Sequence, residues 1–109
     1  MATTYKLPQV QGSASTGTYV TLYNTGASTT AIVSNILIAN ESSSAVTVRL
    51  GTDTTAGTPG AGEWILYDVV IAGNDTLSFG PLSLGTTQYL RASSSANTCT
   101  FSAAVAEIS

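Results

Sequence analysis

The stretch Thr30-Ala-Ile-Val-Ser-Asn-Ile-Leu-Ile-Ala-Asn40 is apolar at both odd and even positions and rich in β-branched residues. Such residues favour strands, and apolar side chains on both faces predict one of two settings. Either the strand is central and covered on both sides, or its outer face meets a partner. Its apolar part, Ala31 to Ala39, is broken by Ser34 and Asn35 and is far shorter than the ~20 residues of a membrane helix.

Working outward, strand-like segments recur roughly every 8–14 residues between Gly, Ser, Asn and Pro, and no helical periodicity competes with them. Tyr5 to Val10 is a candidate strand that Pro8 restricts to a sheet edge or to a docking arm. Tyr19 to Tyr23 alternates, with Val20 and Leu22 on one face and both tyrosines on the other. Asn40 to Ser44 predicts a hairpin loop, after which Val46, Val48 and Leu50 point inward. Gly51 to Gly62 holds four glycines and Pro59 without periodicity, which predicts an exposed loop.

Glu63 to Ile71 is the next long strand, with Ile65, Tyr67, Val69 and Ile71 on one face and Trp64, Leu66, Asp68 and Val70 on the other. Thr76 to Phe79 is a short strand and Gly80 to Gly85 a bend. Gln88 to Ala92 and Thr98 to Ile108 predict a final hairpin. The expected shared core is Val48, Leu50, Ile65, Tyr67, Val69, Phe101 and Val105. The fold class that follows is all-β: a single antiparallel β-sandwich of about eight strands with jelly-roll or immunoglobulin-like connectivity. One domain spans residues 1–109, with an N-terminal arm up to residue 17. That arm offers only Val10 as a sizeable apolar residue between Gln9 and Gly17, so it is expected to be mobile in the isolated protein.

The polar residues are mostly hydroxyls. There are 18 Thr and 14 Ser, against three Lys and Arg, six Asp and Glu and no His, for a net charge of −3. Soluble monomers usually carry about 25% charged residues, which keep copies apart. A surface so weakly charged suits a protein packed against copies of itself or against a larger surface. A pI near 4.3 and only Lys6, Arg49 and Arg91 as cations exclude the basic patch that nucleic acid requires. The first residues lack the apolar core of a signal peptide, and the lone Cys99 is expected to be an inert core thiol.

Catalytic patterns are missing. Without His no triad of the usual form can be built, and no phosphate loop, nucleophile elbow or thiolate zinc set occurs. Glu63 and Asp75 stand at predicted strand ends and Asp68 on a strand face beside a possible arginine partner, so they do not read as a hydrolytic carboxylate pair. Asp53 lies in Gly51-Thr-Asp-Thr-Thr, which lacks the repeated ligands of a calcium loop. The expectation is no catalytic residue, no metal and no cofactor. Asn40-Glu-Ser42 and Asn74-Asp-Thr76 match the glycosylation pattern, as chance allows in a chain this rich in Ser and Thr. Tyr19, Tyr23, Trp64, Tyr67 and Tyr89 would form a carbohydrate platform if they shared an exposed face. In an assembly protein they would be buried in the core or between subunits.

Two stretches carry a family resemblance: Tyr23-Asn-Thr-Gly-Ala-Ser-Thr-Thr-Ala-Ile-Val-Ser-Asn-Ile-Leu-Ile-Ala-Asn40 and Tyr67-Asp-Val-Val-Ile-Ala-Gly-Asn-Asp-Thr76. Together, over Thr18 to Ile108, they resemble small virion structural proteins of tailed bacteriophages, notably phages of cyanobacteria and other aquatic bacteria. The resemblance implies a non-enzymatic β-sandwich subunit of the virion, assembled in the host bacterial cytoplasm, with capsid decoration (cement) as the leading role. The partners it implies are the major capsid protein or another virion protein and further copies of the chain, a trimer preferred, with neither nucleic acid nor membrane. Tail, neck or baseplate components share such sandwiches, and a carbohydrate-binding sandwich module is the reading from a different class. Contacts are expected at Tyr5 and Leu7 of the arm and at Thr54, Thr55, Thr58 and Pro59 of the loop.

Overall fold

The computed structural model describes residues 2–54, 58–60 and 62–109. Among them are ten strands and no helix: β1 (Thr3–Lys6), β2 (Gln9–Gln11), β3 (Val20–Asn24), β4 (Thr30–Asn40), β5 (Val46–Asp53), β6 (Trp64–Ile71), β7 (Thr76–Phe79), β8 (Leu82–Leu84), β9 (Tyr89–Ser94) and β10 (Cys99–Ile108). All paired strands run antiparallel. One sheet is centred on β10 and β4; β1 and β2 flank β10, and β7 and β8 flank β4. The other sheet has the order β3-β9-β5-β6.

The two split edges explain why ten strands fill eight positions. Pro8 has no N–H to give to a ladder, so the edge breaks there into β1 and β2. Its carbonyl still accepts a hydrogen bond from the Ala103 amide at 3.1 Å. The opposite edge breaks at Gly80-Pro81, a cis peptide, where Gly80 has φ +144 and a Cβ would sit 2.9 Å from the Ser34 carbonyl oxygen. With each split edge counted once, positions 1, 8, 3 and 6 form one sheet and 2, 7, 4 and 5 the other. That is jelly-roll connectivity, which decides between the two alternatives.

This connectivity corrects two expectations. The chain passes from one sheet to the other after β4 and again after β9, so both expected hairpins are arches across the sandwich. Among the described residues only β5 and β6 are consecutive strands that pair. The first arch is tied by Asn40, whose Nδ2 donates to the carbonyls of Ser44 at 2.8 Å and of Ile71 and Ala72 at 3.2 Å. A buried amide held in this way is not a glycosylation acceptor. The expected bend from Gly80 to Gly85 contains β8, which pairs with β4.

Between the sheets lie Phe101, Ile36, Ile38, Leu50, Leu84, Leu90, Val33, Val48 and Cys99, all fully buried. Burial, and then the charge of Glu41, raise the Cys99 thiol above its ordinary pKa, so it stays protonated.

Where alternation mispredicts a face, a bulge is the cause. In β4 an extra residue at Ser34 shifts the register against β10. Ala31 and Val33 point inward before it, Ile36, Ile38 and Asn40 after it. The stretch is apolar in both phases because the inward phase changes halfway. In β3 a register shift near Leu22 buries both Leu22 and Tyr23. In β6 two extra residues, at Ile65 and at Tyr67–Asp68, oppose β5, and Asp68 takes φ +55. Leu66, Val69 and Ile71 therefore face inward. Ile65 and Tyr67, expected in the core, are exposed.

Candidate functional site

The sandwich has two outer faces, and they differ. On the β10/β4 sheet, residues opposite one another in the ladder project to the same side. The outward rows are Thr3, Ile108 and Thr30; Tyr5, Ala106, Ile32 and Ser83; Ala104 and Asn35; Gln9, Ser102, Leu37 and Ser78; Gln11, Thr100, Ala39 and Thr76. None is charged. Ile32 is 47% exposed and Leu37 40%, although both sit on the central strand. At the edges Tyr5 is 81% exposed, and a shallow hollow of about 310 Å³ opens between Ile32, Pro81, Leu82 and Ser83. The molecule measures 45 × 25 × 18 Å, so a broad face is large enough for the ~800 Å² per partner of a standard interface.

The outer face of β3-β9-β5-β6 is built over by the chain itself along β9 and β5, whereas β6 leaves Tyr67 and Val70 exposed. The segment between β2 and β3, expected to be mobile, is fixed by hydroxyl–carbonyl bonds rather than by apolar burial. Ser94 Oγ donates to Ser13 O at 2.8 Å, Ser93 Oγ donates to Thr16 O at 3.1 Å, and Ser93 and Ser94 are fully buried. From the other side Pro59 packs on Gly51 so closely that a Cβ there would lie 2.9 Å from the proline ring and from the Glu63 carbonyl oxygen. Beside it Arg91 meets Asp53 at 3.1 Å with side chains 8% and 4% exposed. Arg91 also donates to Thr21 Oγ1 and lies 4.3 Å from the centre of the Tyr89 ring.

Next to this covered region is an exposed cluster. Trp64 sits 5.0 Å from Tyr67, edge to face at 71°, and 5.7 Å from Tyr19 at 44°. The Arg49 guanidinium lies 4.2 Å over Tyr67. Its Nε and a terminal nitrogen donate to the two oxygens of Asp68 at 2.6 and 3.3 Å, and its other terminal nitrogen reaches Tyr19 Oη at 3.3 Å. This fork geometry is the arrangement that suits Arg over Lys. Hydrogen bonding to Asp68, then to Tyr19, raises the arginine pKa further, and the same pair holds Asp68 below the usual carboxylate range. A non-glycine residue at positive φ costs on the order of 1–3 kcal/mol, though Asp tolerates that region better than most. The bulge turns Trp64, Tyr67 and Asp68 to one side.

At one end of the sandwich Glu107 joins three strands. It accepts from Tyr23 Oη and pairs with Lys6 at 3.1 Å. Those two bonds lower its pKa, the tyrosine's foremost; burial and then Glu107 push the Tyr23 phenol upward.

Of the expected contact residues, Tyr5 and Leu7 are exposed on the edge beside β10, in an integral edge segment rather than a loose arm. Thr54 and Thr58 are exposed, and Thr55 lies outside the described residues. Pro59 is buried against Gly51. The carboxylates weighed for chemistry are engaged: Asp53 by Arg91, Asp68 by Arg49, Glu63 by the Gly60 amide at 2.7 Å and Asp75 by the Thr76 amide at 2.8 Å. Among the described residues no group of three His, Cys, Asp or Glu could hold a metal ion. Of the five aromatics, Tyr23 is buried and Tyr89 lies on Arg91. Tyr19, Trp64 and Tyr67 lie on one outer face, Tyr67 exposed and the other two half-buried. Simple alternation puts Tyr67 on the face opposite Trp64 and Asp68, and the β6 bulges that bring them together have no unambiguous residue signature; Asp68, a residue type that tolerates positive φ, is the one available hint. No family model matches the chain, and neither a curated protein nor a solved structure matches it.

Proposed function

We propose that the chain is a non-catalytic structural subunit of a virion, a capsid decoration protein that binds the outside of the head and clamps neighbouring major capsid subunits. The observation that carries this reading is the outer face of the β10/β4 sheet, whose ladder positions hold no charged residue and where Tyr5, Ile32 and Leu37 are open to solvent, with Glu41 at one end only. Hydroxyls and small side chains on that face hydrogen-bond to a protein wall without the desolvation cost of charges. Binding that requires the assembled shell stabilises it by mass action against packaged DNA, and many copies on a lattice act together through avidity. Self-association, as a trimer on a local three-fold site, belongs to the same reading. The family resemblance of Tyr23 to Asn40 and Tyr67 to Thr76 supports it.

Electron cryomicroscopy of the parent virion tests the proposal. The expected result is jelly-roll density outside the head shell, uncharged face inward. Density on the tail, neck or baseplate would move the subunit there, and absence of the chain from purified particles would overturn the virion reading.

A further inference from the structure

We propose that the opposite face, on the β3-β9-β5-β6 sheet, carries a site for a neutral glycan, seated on Trp64 and Tyr67 and hydrogen-bonded through Asp68. This inference does not depend on the virion reading.

The site combines the two chemistries a sugar needs. A pyranose presents patches of C–H along its ring and hydroxyls around its rim, so its recognition calls for aromatic faces beside a few fixed polar groups. Tyr67 is 54% exposed, with the Arg49 guanidinium over its ring and the half-buried Trp64 packed against it, so part of the ring meets solvent. Trp64 stands 5.0 Å away at a steep angle, so the two rings form a corner rather than a flat stack. Asp68 is exposed, and each of its oxygens accepts one arginine N–H, which leaves lone pairs on both for sugar hydroxyls. Arg49 holds that carboxylate in place, so little order is lost on binding. The β6 bulges supply the second observation: they bring Trp64, Tyr67 and Asp68 to one side, at the expense of positive φ at Asp68.

Charge selects the ligand class. Arg49 neutralises the site's one carboxylate, which suits an uncharged ligand, and the net charge of −3 disfavours acidic sugars and nucleic acids. A proline-rich peptide fits a groove between aromatic walls, whereas these rings meet as a corner.

The chain has a single tryptophan, and it stands in the site, so its fluorescence reports on this face. Lactose and cellotetraose, which offer C–H patches of different outline, serve as probes. Titration to about 20 mM suits the millimolar affinity of one exposed seat. The expected result is a saturable change in Trp64 emission with at least one sugar. Tyr67→Ala should weaken it about ten-fold or more, and Leu37→Ser on the other face should leave it unchanged. Amide shift mapping on the unaltered protein should place the perturbation at residues 47–49 and 64–68, which settles the matter if Tyr67→Ala does not fold. No saturable response to either sugar, a response untouched by Tyr67→Ala, shifts on the β10/β4 face, or a response to a proline-rich peptide instead would overturn the proposal.

Discussion

On the β3-β9-β5-β6 sheet the chain covers the outer side of β9 and β5 with residues 13–16 and Pro59 and pins it with two arginine–aspartate pairs, while β6 stays open at Tyr67 and Val70. On the β10/β4 sheet the outer face is left plain, uncharged and partly apolar, with Ile32 and Leu37 open at its centre. The contrast shows how this molecule uses so few charges. All three cations are paired with acids, Lys6 with Glu107, Arg49 with Asp68 and Arg91 with Asp53. The remaining acids accept from Thr100, Gly60 and Thr76. Charge here ties parts of the fold together. It contributes little to keeping copies apart.

If the covered face belongs to the fold and the plain face to a partner, substitutions should separate the two. The largest effect is expected at Arg91→Met. It leaves a nearly buried Asp53 carboxylate without its arginine, which typically costs about 3–5 kcal/mol. Urea denaturation would read it, and a loss below about 1 kcal/mol would mean that this ion pair is not part of what holds the face closed.

Gly51→Ala comes next. The added methyl would press on the Pro59 ring and the Glu63 carbonyl at 2.9 Å, and overpacking of that kind costs about 1–3 kcal/mol. Pro59→Ala, which makes room, should recover part of it in the double variant.

Acid should have a smaller effect. The pKa of Glu107 is lowered in the folded state, so its contribution is present above the ordinary carboxylate range and fades as pH falls through the folded value. Tyr23 is shifted the other way, so its contribution is complete below the ordinary tyrosine range and is lost as pH rises past it. Thermal midpoints followed against pH should therefore show a plateau through neutrality with a decline at each end. Glu107→Gln should flatten the acid limb.

The smallest change in stability is expected on the plain face, where Ile32→Ser should cost under about 1 kcal/mol in the isolated protein. Its effect should appear instead in self-association, measured by sedimentation. A variant that unfolds the monomer would show that this face is packed from within.

Strand positions were legible because Thr, Val and Ile runs stop at Gly, Asn and Pro, and the chain falls into strands close to those stops. Two things were not. Which strands pair depends on arches such as 41–45, whose residues look like a hairpin turn. They become an arch only because Asn40 bonds across to Ile71 and Ala72. Which face a strand buries depends on phase, and one extra residue reverses it. Ser34 in β4 and Tyr67–Asp68 in β6 do this without a glycine to mark them. The exposed aromatic corner was hidden by that second reversal.

A matched pair of introduced charges separates the two faces. Leu37→Lys places one on the plain face, and Val70→Lys places one on the exposed outer side of β6, opposite Thr47. Incorporation of each into the parent particle can be quantified by mass spectrometry of gradient-purified virions. If the plain face meets a capsid partner, Leu37→Lys should be depleted about ten-fold or more, since a buried unpaired charge is costly, while Val70→Lys is retained. Leu37→Lys carried at the copy number of the unaltered chain would contradict it.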